Sequence, residues 1–393
     1  MERTKIYNGR VITPYRLIPN GTVLIENGEI IEVCSGNIDF PNAQAIDAGN
    51  NYVSPGFVDI HTHGAGGYDF MDGTVEAFLG ALEMLARHGT TSVVPTTLTS
   101  SREELLHTLS IFQEASGKNI NGSQMLGMHL EGPYFSMKQC GAQDPRFIHE
   151  PDTAEYESIV GDSKDIIRWS AAPELKGAMA FGRFMVKNGI LPSIAHTDAI
   201  YEDVIEAFEN GFTHVTHLYS AMSGVSRRNA FRYAGVIESA LLIEEMTVEI
   251  IADGIHLPPS LLQLIFKSKG AGRIALITDS MRAAGMPEGP SILGSLKDGL
   301  PVIVEDGVAK LPDRSAFAGS VATADRLVKN MVTLAGVSLV EAVQMITSTP
   351  AKICGKFDKI GSLSVGKQAD LVVFDEYYNI HETMIKGKIV YEK

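Results

Sequence analysis

The chain has 393 residues, of which 45% are hydrophobic and 20% charged, and it carries a formal net charge of -14 at pH 7. This composition predicts a globular protein with a large core, and no apolar run is long enough to span a bilayer. The acidic balance, without a basic block, argues against a nucleic-acid partner, although a local cluster of cations could hold an anionic substrate. Three cysteines without a C-x-x-C pair, and an N-terminus without an apolar signal segment, predict free thiols and a cytoplasmic protein.

Both ends of the chain carry short strand-like segments that are broken by glycine turns. Near the N-terminus, apolar residues alternate around Asn27-Gly28, which is a strong hairpin signal. The C-terminal tail repeats this style in GSLSVGKQADLVVFD and ETMIKGKIVYEK. We therefore expect residues 1–53 and 351–393 to form one small β domain, with residues 54–350 as a separate catalytic domain.

The central region alternates apolar strand-like runs with helical patterns, which is typical of parallel βαβ units. Eight candidate strands lie near residues 53–60, 91–97, 125–131, 167–171, 191–196, 213–218, 247–252 and 273–278. Helical patterns cover residues 75–88, 103–114, 177–187, 201–209 and 259–267, and two more, 322–335 and 339–347, precede Pro350. Eight such units predict an α/β protein of the (β/α)8 TIM-barrel type.

Histidines and carboxylates recur where the predicted strands end. The first strand, in PGFVDIHTHG, ends in His61 and His63, whose side chains point the same way because they are two residues apart. By itself an H-x-H pair is equally compatible with a surface loop. Later strands end in, or are followed by, Glu131, His196, His217, His256 and Asp279. A barrel of this type builds its site at the carboxyl ends of its strands, so the pattern predicts a metal-dependent hydrolase.

Several motifs carry a family resemblance, namely PGFVDIHTHG, HLEGPY, AHTDA, THLYSAM, ADGIH, LITDS, AGS and STPAK with the tail G-x-L-x-x-G-K-x-A-D-L. Together they resemble the N-acetylglucosamine-6-phosphate deacetylases of the amidohydrolase superfamily. The H-x-H pair and the tail are shared widely in that superfamily, whereas HLEGP and the THLYSAM segment are more specific. The resemblance implies a (β/α)8 barrel with a small β-sandwich built from both termini.

The resemblance also implies roles for residues of the metal site. Glu131, His196 and His217 match the ligands of the main metal, and His61 and His63 match a pair that some members use for a second metal. No lysine lies in the fourth predicted strand, so a carboxylated-lysine bridge is excluded and Glu131 is its natural substitute. The implied cofactor is a divalent metal, zinc or iron, with one or two ions per chain.

On the substrate side, Asp279 matches the catalytic acid/base, and Gln143 and His256 match substrate-binding residues. His129 and His214, on the same strands as the ligands, are predicted to be structural. Hydrolysis of N-acetylglucosamine 6-phosphate to glucosamine 6-phosphate and acetate is the implied reaction of amino-sugar catabolism.

The segment after the sixth strand departs from the family pattern. Ser220 replaces an asparagine and a Glu-Pro-Gly sequence is missing, although Arg228 keeps its spacing from His217. The resemblance implies that Arg228 and His256 bind the phosphate with the backbone near Ser220 and Ala221. A purely solubilising role for the arginines of this loop is the alternative. Family members are commonly homodimers in which an arginine reaches the neighbouring site.

Other functions stay open from the sequence alone. One is a deacetylase of a different acetamido sugar, such as N-acetylgalactosamine 6-phosphate, and another is an amidohydrolase that opens a cyclic amide. A barrel without catalytic activity is disfavoured by the full set of ligands together with Asp279.

Overall fold

A computed structural model of the chain describes residues 2–393, which form 24 strands and ten α-helices. The strands are β1 Arg3–Ile12, β2 Leu17–Glu26, β3 Glu29–Ser35, β4 Gln44–Asp47, β5 Tyr52–Pro55, β6 Phe57–Thr62, β7 Gly64–Ala65, β8 Tyr68–Asp69, β9 Thr90–Pro95, β10 Gln124–Met125, β11 Met128–Glu131, β12 Ile166–Ala171, β13 Leu191–Ile194, β14 His214–Val215, β15 Ser226–Arg228, β16 Phe231–Tyr233, β17 Thr247–Ile250, β18 Ile274–Leu276, β19 Gly289–Leu293, β20 Leu300–Glu305, β21 Val308–Lys310, β22 Leu371–Phe374, β23 Ile380–Ile385 and β24 Lys388–Glu392.

The helices lie mainly between the parallel strands and after the last of them. They are α1 Val75–Arg87, α2 Arg102–Lys118, α3 Thr153–Asp162, α4 Ala178–Lys187, α5 Tyr201–Glu209, α6 Val236–Leu242, α7 Pro259–Lys269, α8 Ala324–Thr333, α9 Leu339–Ile346 and α10 Ser348–Ile353, with short 3-10 helices at Phe70–Asp72 and Met137–Gln139.

The two ends of the chain share one eight-stranded sheet. Its order is β24-β23-β22-β5-β1-β2-β3, with β4 paired to β1. The predicted hairpin at Asn27-Gly28 is confirmed: these two residues, with φ of 50° and 82°, connect β2 to β3. Both central residues of a tight hairpin turn of this kind need positive φ, which asparagine and glycine adopt most readily.

The central strands run parallel and follow the chain order. β6, β9 and β10 form one sheet, and β11, β12, β13, β14, β17 and β18 form another. A bridge between Thr96 and His129 connects the two sheets, and the Asp279 N–H donates to the His61 carbonyl at 2.9 Å beyond the end of β18. The predicted mixed α/β architecture with parallel strands is therefore confirmed.

An aromatic group packs against the strand that carries Glu131. The Trp169 ring in β12 stacks on Tyr134 with centroids 5.6 Å apart, and Phe181 from α4 meets both rings edge-on. Trp169 Nε1 also donates to the Gly132 carbonyl at 2.8 Å. Because all three rings are fully buried, they hold the turn after β11 against the helical layer.

Several elements were not predicted from the sequence pattern. These are α3, α6, the hairpin β15-β16, the small antiparallel sheet β19-β20-β21, and α10, which contains Pro350. Proline fits within the first turn of a helix because the N–H that it lacks has no partner there. Of the predicted domain boundaries, residue 1 lies outside the described residues, and the division between residues 350 and 351 falls inside α10.

Two further expectations concern the chain as a whole. Cys34, Cys140 and Cys354 are free thiols, as predicted. No helix among residues 2–393 combines the length and the apolar composition that crossing a lipid bilayer requires.

Candidate metal and substrate site

Six of the residues singled out in the sequence converge at the carboxyl ends of the parallel strands. His61 lies in β6 and His63 directly follows that strand. The others end or closely follow four more strands: Glu131 at β11, His196 after β13, His217 after β14 and Asp279 after β18. The ends of these strands converge, so residues far apart in the chain share one buried cluster.

The candidate ligand atoms form two groups of three, and within each group they lie within 4.8 Å of one another. The first, the aspartate triad, contains His61, His63 and Asp279, and the second, the glutamate triad, contains Glu131, His196 and His217. Glu131 also faces the aspartate triad: its Oε1 is 2.9 Å from His217 Nε2 and 3.6 Å from His61 Nε2. The glutamate thus lies between the two groups.

The donor set fits divalent transition ions. Imidazole nitrogens and carboxylate oxygens are the ligands that zinc and iron take from proteins. His217 Nδ1 is buried and has no hydrogen-bond partner within residues 2–393. Because buried polar atoms are normally paired, this ring lacks a partner that an ion or a water would supply.

Opposite charges crowd the site. Burial opposes protonation of His61, but Glu131 and Asp279 raise its pKa to about 10. Burial likewise opposes ionisation of both carboxylates, yet His61 and its neighbouring histidines hold the pKa of Glu131 well below its usual range and lower that of Asp279. The carboxylates are therefore ionised at neutral pH, and an incoming cation would replace protons on the histidines.

Three of the converging residues have a left-handed backbone, with φ of 45° at His196, 28° at His217 and 47° at Asp279. Such conformations cost about 1 to 3 kcal/mol for residues other than glycine and concentrate at functional sites. Local hydrogen bonds hold them, since the Asp279 carbonyl accepts from the Ser320 N–H at 2.7 Å and the His196 carbonyl from the Ser136 N–H at 2.9 Å.

A cavity of about 350 Å³ opens over the two triads. Four predicted substrate-side residues line it: Gln143, Ser220, Ala221 and His256. Gln143 Nε2 donates to Glu131 Oε2 at 2.8 Å, and its Oε1 accepts the Thr99 N–H at 2.8 Å. The amide is therefore held in one orientation at the edge of the two triads.

His256 is oriented by a neighbouring carboxylate. Its Nδ1 lies 2.8 Å from Asp253 Oδ2, while Asp253 Oδ1 accepts the backbone N–H of His256 at 2.8 Å. Burial opposes ionisation of Asp253, but the bond from His256 lowers its pKa. An ionised carboxylate can only accept a hydrogen bond, so His256 carries a proton on Nδ1. Its other nitrogen, Nε2, is free of this bond and can contact a ligand.

The predicted phosphate residue Arg228 lies apart from this cluster. It is exposed on β15, its guanidinium is 5.4 Å from the centre of the Tyr233 ring, and it is outside the lining of the cavity. Lys138 instead contributes a cation to the rim, where its Nζ pairs with Asp198 Oδ2 at 2.8 Å. The Ser220 N–H, which was expected to face a phosphate, donates to the His217 carbonyl at 2.9 Å.

The two histidines predicted to be structural have partners of their own. His129 Nε2 is 2.7 Å from Ser170 Oγ, and His214 Nδ1 is 2.7 Å from Thr247 Oγ1. The other ring nitrogen of His214 lies 3.4 Å from Glu249 Oε1. His214 therefore belongs to a buried polar layer beneath the site.

The sequence reasoning missed five residues that contribute to the site or its support: Lys138, Tyr219 and Phe317 in the cavity wall, and Arg168 and Glu249 beneath it. A signal existed for the last two, because a single charged residue in an otherwise apolar buried strand needs a partner. Tyr219 lies within the THLYSAM motif, between His217 and Ser220, whereas Lys138 and Phe317 carry no comparable signal because their positions depend on how loops fold over the strand ends.

Comparison with known proteins identifies the class to which this site belongs. Residues 52–390 match the model of the amidohydrolase family. The chain belongs to this family.

Individual relatives narrow the resemblance. An N-acetylglucosamine-6-phosphate deacetylase from Vibrio furnissii is 34% identical over 370 residues, covering 93% of this chain and 90% of the relative. An N-acetylgalactosamine-6-phosphate deacetylase from Escherichia coli O157:H7 is 32% identical over 338 residues, covering 86% and 87% of the two chains.

A solved structure shows the same likeness. An aspartate-to-alanine mutant of N-acetyl-D-glucosamine-6-phosphate deacetylase from Mycobacterium smegmatis, in complex with N-acetyl-D-glucosamine-6-phosphate, is similar with a TM-score of 0.91 and 30% identity, covering 99% of this chain and 100% of that one. The resemblance to N-acetylglucosamine-6-phosphate deacetylases that the sequence motifs indicated is confirmed.

Proposed function

We propose that this chain removes the acetyl group from N-acetylglucosamine 6-phosphate, giving glucosamine 6-phosphate and acetate in amino-sugar catabolism. The observation that carries the proposal is the convergence of two ligand triads on one cavity of about 350 Å³ that His256 and Gln143 also line. The named activity of relatives at 32–34% identity supports the same reaction.

We infer that Glu131, His196 and His217 hold the main divalent ion and that His61 and His63 serve a second, with zinc or iron as the metal. Their geometry and donor chemistry support this assignment. A divalent ion held by these residues would lower the pKa of a water molecule towards neutrality and would polarise the acetyl carbonyl.

In the proposed reaction, Asp279 is the acid/base. Its carboxylate accepts a proton from the attacking water, whose oxygen bonds to the acetyl carbon, and then donates that proton to the nitrogen as the carbon–nitrogen bond breaks. The acetyl oxygen gains negative charge, which Gln143 is placed to stabilise from the cavity wall. Gln143 uses one of its two amide N–H donors on Glu131 and retains the other.

The proposed phosphate site combines His256 with Arg228 and the backbone near Ser220 and Ala221. Ser220, Ala221 and His256 line the cavity. Arg228 lies on an exposed hairpin and does not line the cavity of its own chain. An arginine so placed can reach a neighbouring molecule, which supports the proposed homodimer. Arginine suits this role because its planar fork makes two bonds to a phosphate.

We also propose the finer architecture. The bridges that connect β9 to β11 and β18 to β6 support a closed (β/α)8 barrel. The eight-stranded sheet that the two termini share supports a β-sandwich, with residues 1–53 and 351–393 as one domain and residues 54–350 as the other. A cytoplasmic location is proposed from the free thiols.

The test is acetate release from N-acetylglucosamine 6-phosphate, its galacto epimer and unphosphorylated N-acetylglucosamine, with chelator-treated protein before and after metal is restored. The proposal expects metal-dependent turnover that is fastest with the gluco 6-phosphate. Preference for the galacto epimer would favour the second candidate, which the relative from Escherichia coli O157:H7 supports. No acetate release from any of the three sugars with metal restored would contradict both candidates.

A further inference from the structure

A buried ion pair lies directly beneath the aspartate triad and has no part in the proposed reaction. Arg168 in β12 is 1% exposed and Glu249 in β17 is 0% exposed, and Arg168 Nη1 donates to Glu249 Oε1. Two fully buried charges are expensive to desolvate, and replacing such a pair with apolar side chains is often neutral for stability. A contribution to folding stability therefore does not explain why this pair is present.

Arg168 is held rigidly by three strands. Its Nε donates to Ser193 Oγ at 3.0 Å, its Nη1 to the Ile60 carbonyl at 3.2 Å and its Nη2 to Thr216 Oγ1 at 2.7 Å. A guanidinium with these partners has a fixed plane, and it presents Glu249 with a fixed charge. The carboxylate is consequently unable to turn away from the strand ends.

The other carboxylate oxygen of Glu249 faces the site. Oε2 lies 3.2 Å from His61 Nδ1 and accepts the backbone N–H of His217 at 3.2 Å. Because an ionised carboxylate can only accept, His61 carries a proton on Nδ1, and the proton that an incoming cation would replace is the one on Nε2. His61 Nε2 is the atom that lies 3.4 Å from both His63 Nε2 and Asp279 Oδ1.

We propose that Glu249, anchored by Arg168, is a positioning residue that fixes the tautomer and ring plane of His61, so that the aspartate triad can hold a metal ion. The inference rests on the proposed function, because it assumes that this triad binds an ion. A carboxylate that accepts from the second nitrogen of a ligand histidine commonly changes metal affinity by ten- to a hundredfold when it is altered.

The experiment measures zinc binding to metal-free protein by competition with a chromophoric chelator. Glu249→Gln keeps the volume and removes the acceptor charge, while Glu249→Asp keeps the charge opposite Arg168 and withdraws the carboxylate by about one bond length, roughly 1.5 Å. We expect the second zinc ion to bind ten- to a hundredfold more weakly to both variants. Because Glu249 is proposed to act through His61, adding either Glu249 change to a His61→Asn variant should cause no further loss of zinc affinity.

The matched control is Asp72→Asn, which leaves another buried arginine unpaired. Asp72 Oδ1 accepts from Arg282 Nη2 at 2.8 Å, and the two side chains are 9% and 6% exposed. Thermal unfolding should show that Asp72→Asn and Glu249→Gln both destabilise the chain, whereas only the latter should weaken zinc binding.

Two results would overturn the inference. One is a folded Glu249→Asp variant that binds both zinc ions as tightly as the wild type, and the other is an equal loss of zinc affinity in Asp72→Asn. These results leave the proposed function standing if the wild type binds two ions. A wild-type chain that binds neither zinc nor iron would instead contradict the proposed function itself. A chain that binds one ion would contradict this inference and the second-ion assignment, and would leave the proposed deacetylation standing.

Discussion

Two buried carboxylates face the same histidines but are placed for different tasks. Glu131 lies between the triads. Its Oε1 is within 3.6 Å of the Nε2 atoms of three histidines, His61, His196 and His217. Asp279 Oδ1 lies 3.4 Å from His61 Nε2 and 3.2 Å from His63 Nε2, and the residue borders the cavity. The first geometry suits a metal ligand shared by two sites, and the second suits a base that must reach a substrate.

Replacing the proposed base should separate binding from turnover. In Asp279→Asn, the amide fills the same space but cannot accept a proton, so kcat should fall by about a hundred- to ten-thousandfold with little change in KM. Acetate release and metal content would be measured together, with the exposed Asp306→Asn as the control variant. Near-normal kcat in a variant that retains its metal would contradict the acid/base role.

Replacing the shared ligand should affect both ions. Glu131→Gln should lose the main ion and weaken the second, because Glu131 faces every histidine of the two triads. The double variant His61→Asn/His63→Asn should lose only the second ion. Elemental analysis of the purified proteins would show this difference, and an unchanged metal content in Glu131→Gln would refute the main ligand assignment.

At the scale of elements, the hairpin β15-β16 is the least expected part of the site. Cross-strand pairs Arg227↔Arg232 and Arg228↔Phe231 lie next to each other, so Arg227 and Arg228 point to opposite faces of the ribbon. Only one face can then present an arginine to a given phosphate. The hairpin thus offers a matched pair of variants.

Arg228→Ala should weaken kcat/KM for the 6-phosphate by roughly ten- to a hundredfold, since one charge-assisted contact to an ion is worth about 1.5 to 3 kcal/mol. Unphosphorylated N-acetylglucosamine should be turned over almost as before, because it offers the arginine no anion. Arg227→Ala is the control and should leave both substrates unaffected. Equal losses on both substrates would instead assign Arg228 to the fold or to the dimer.

Across the whole molecule, Asp370 connects the sheet of the two termini to the parallel strands. Its Oδ2 accepts from Gln124 Nε2 in β10 at 2.8 Å, and its Oδ1 accepts the Lys386 N–H at 2.7 Å. Burial raises the pKa of Asp370 to about 6. A carboxyl whose pKa is higher in the folded chain stabilises the fold when protonated. That contribution is complete below about pH 4 and is lost as the pH rises through about 6.

Asp370→Asn should therefore change stability in a pH-dependent way. The free energy of unfolding of the variant, relative to that of the wild type, should increase by about 2 to 3 kcal/mol from pH 4 to pH 8, because the amide carries no charge to bury. Denaturant unfolding at both pH values would measure this gain. Asp375→Asn is the control and should show almost no change between the two pH values: Asn379 and its neighbours lower the pKa of Asp375 despite partial burial, so the folded and unfolded chains both keep it mostly ionised in this range. For Asp370→Asn, the same stability difference at both pH values would contradict the assignment.

The sequence by itself determined the alternation of parallel strands and helices, the residues proposed as ligands, and the family. These features are local: periodicity separates strands from helices, and the motifs at strand ends place histidines and carboxylates where parallel strands must bring them together. Asn27-Gly28 shows the same principle, because two residues suffice to specify a hairpin turn.

Only the tertiary structure decided what supports and surrounds those ligands. Arg168 and Glu249 are 81 residues apart and meet because β12 and β17 face one interior, which no local pattern records. Likewise, Lys138 enters the cavity wall and Arg228 leaves it because of how two loops fold over the strand ends. Contacts of this kind depend on packing across the whole molecule, where a charged side chain is retained only if a partner from a distant strand compensates the loss of water.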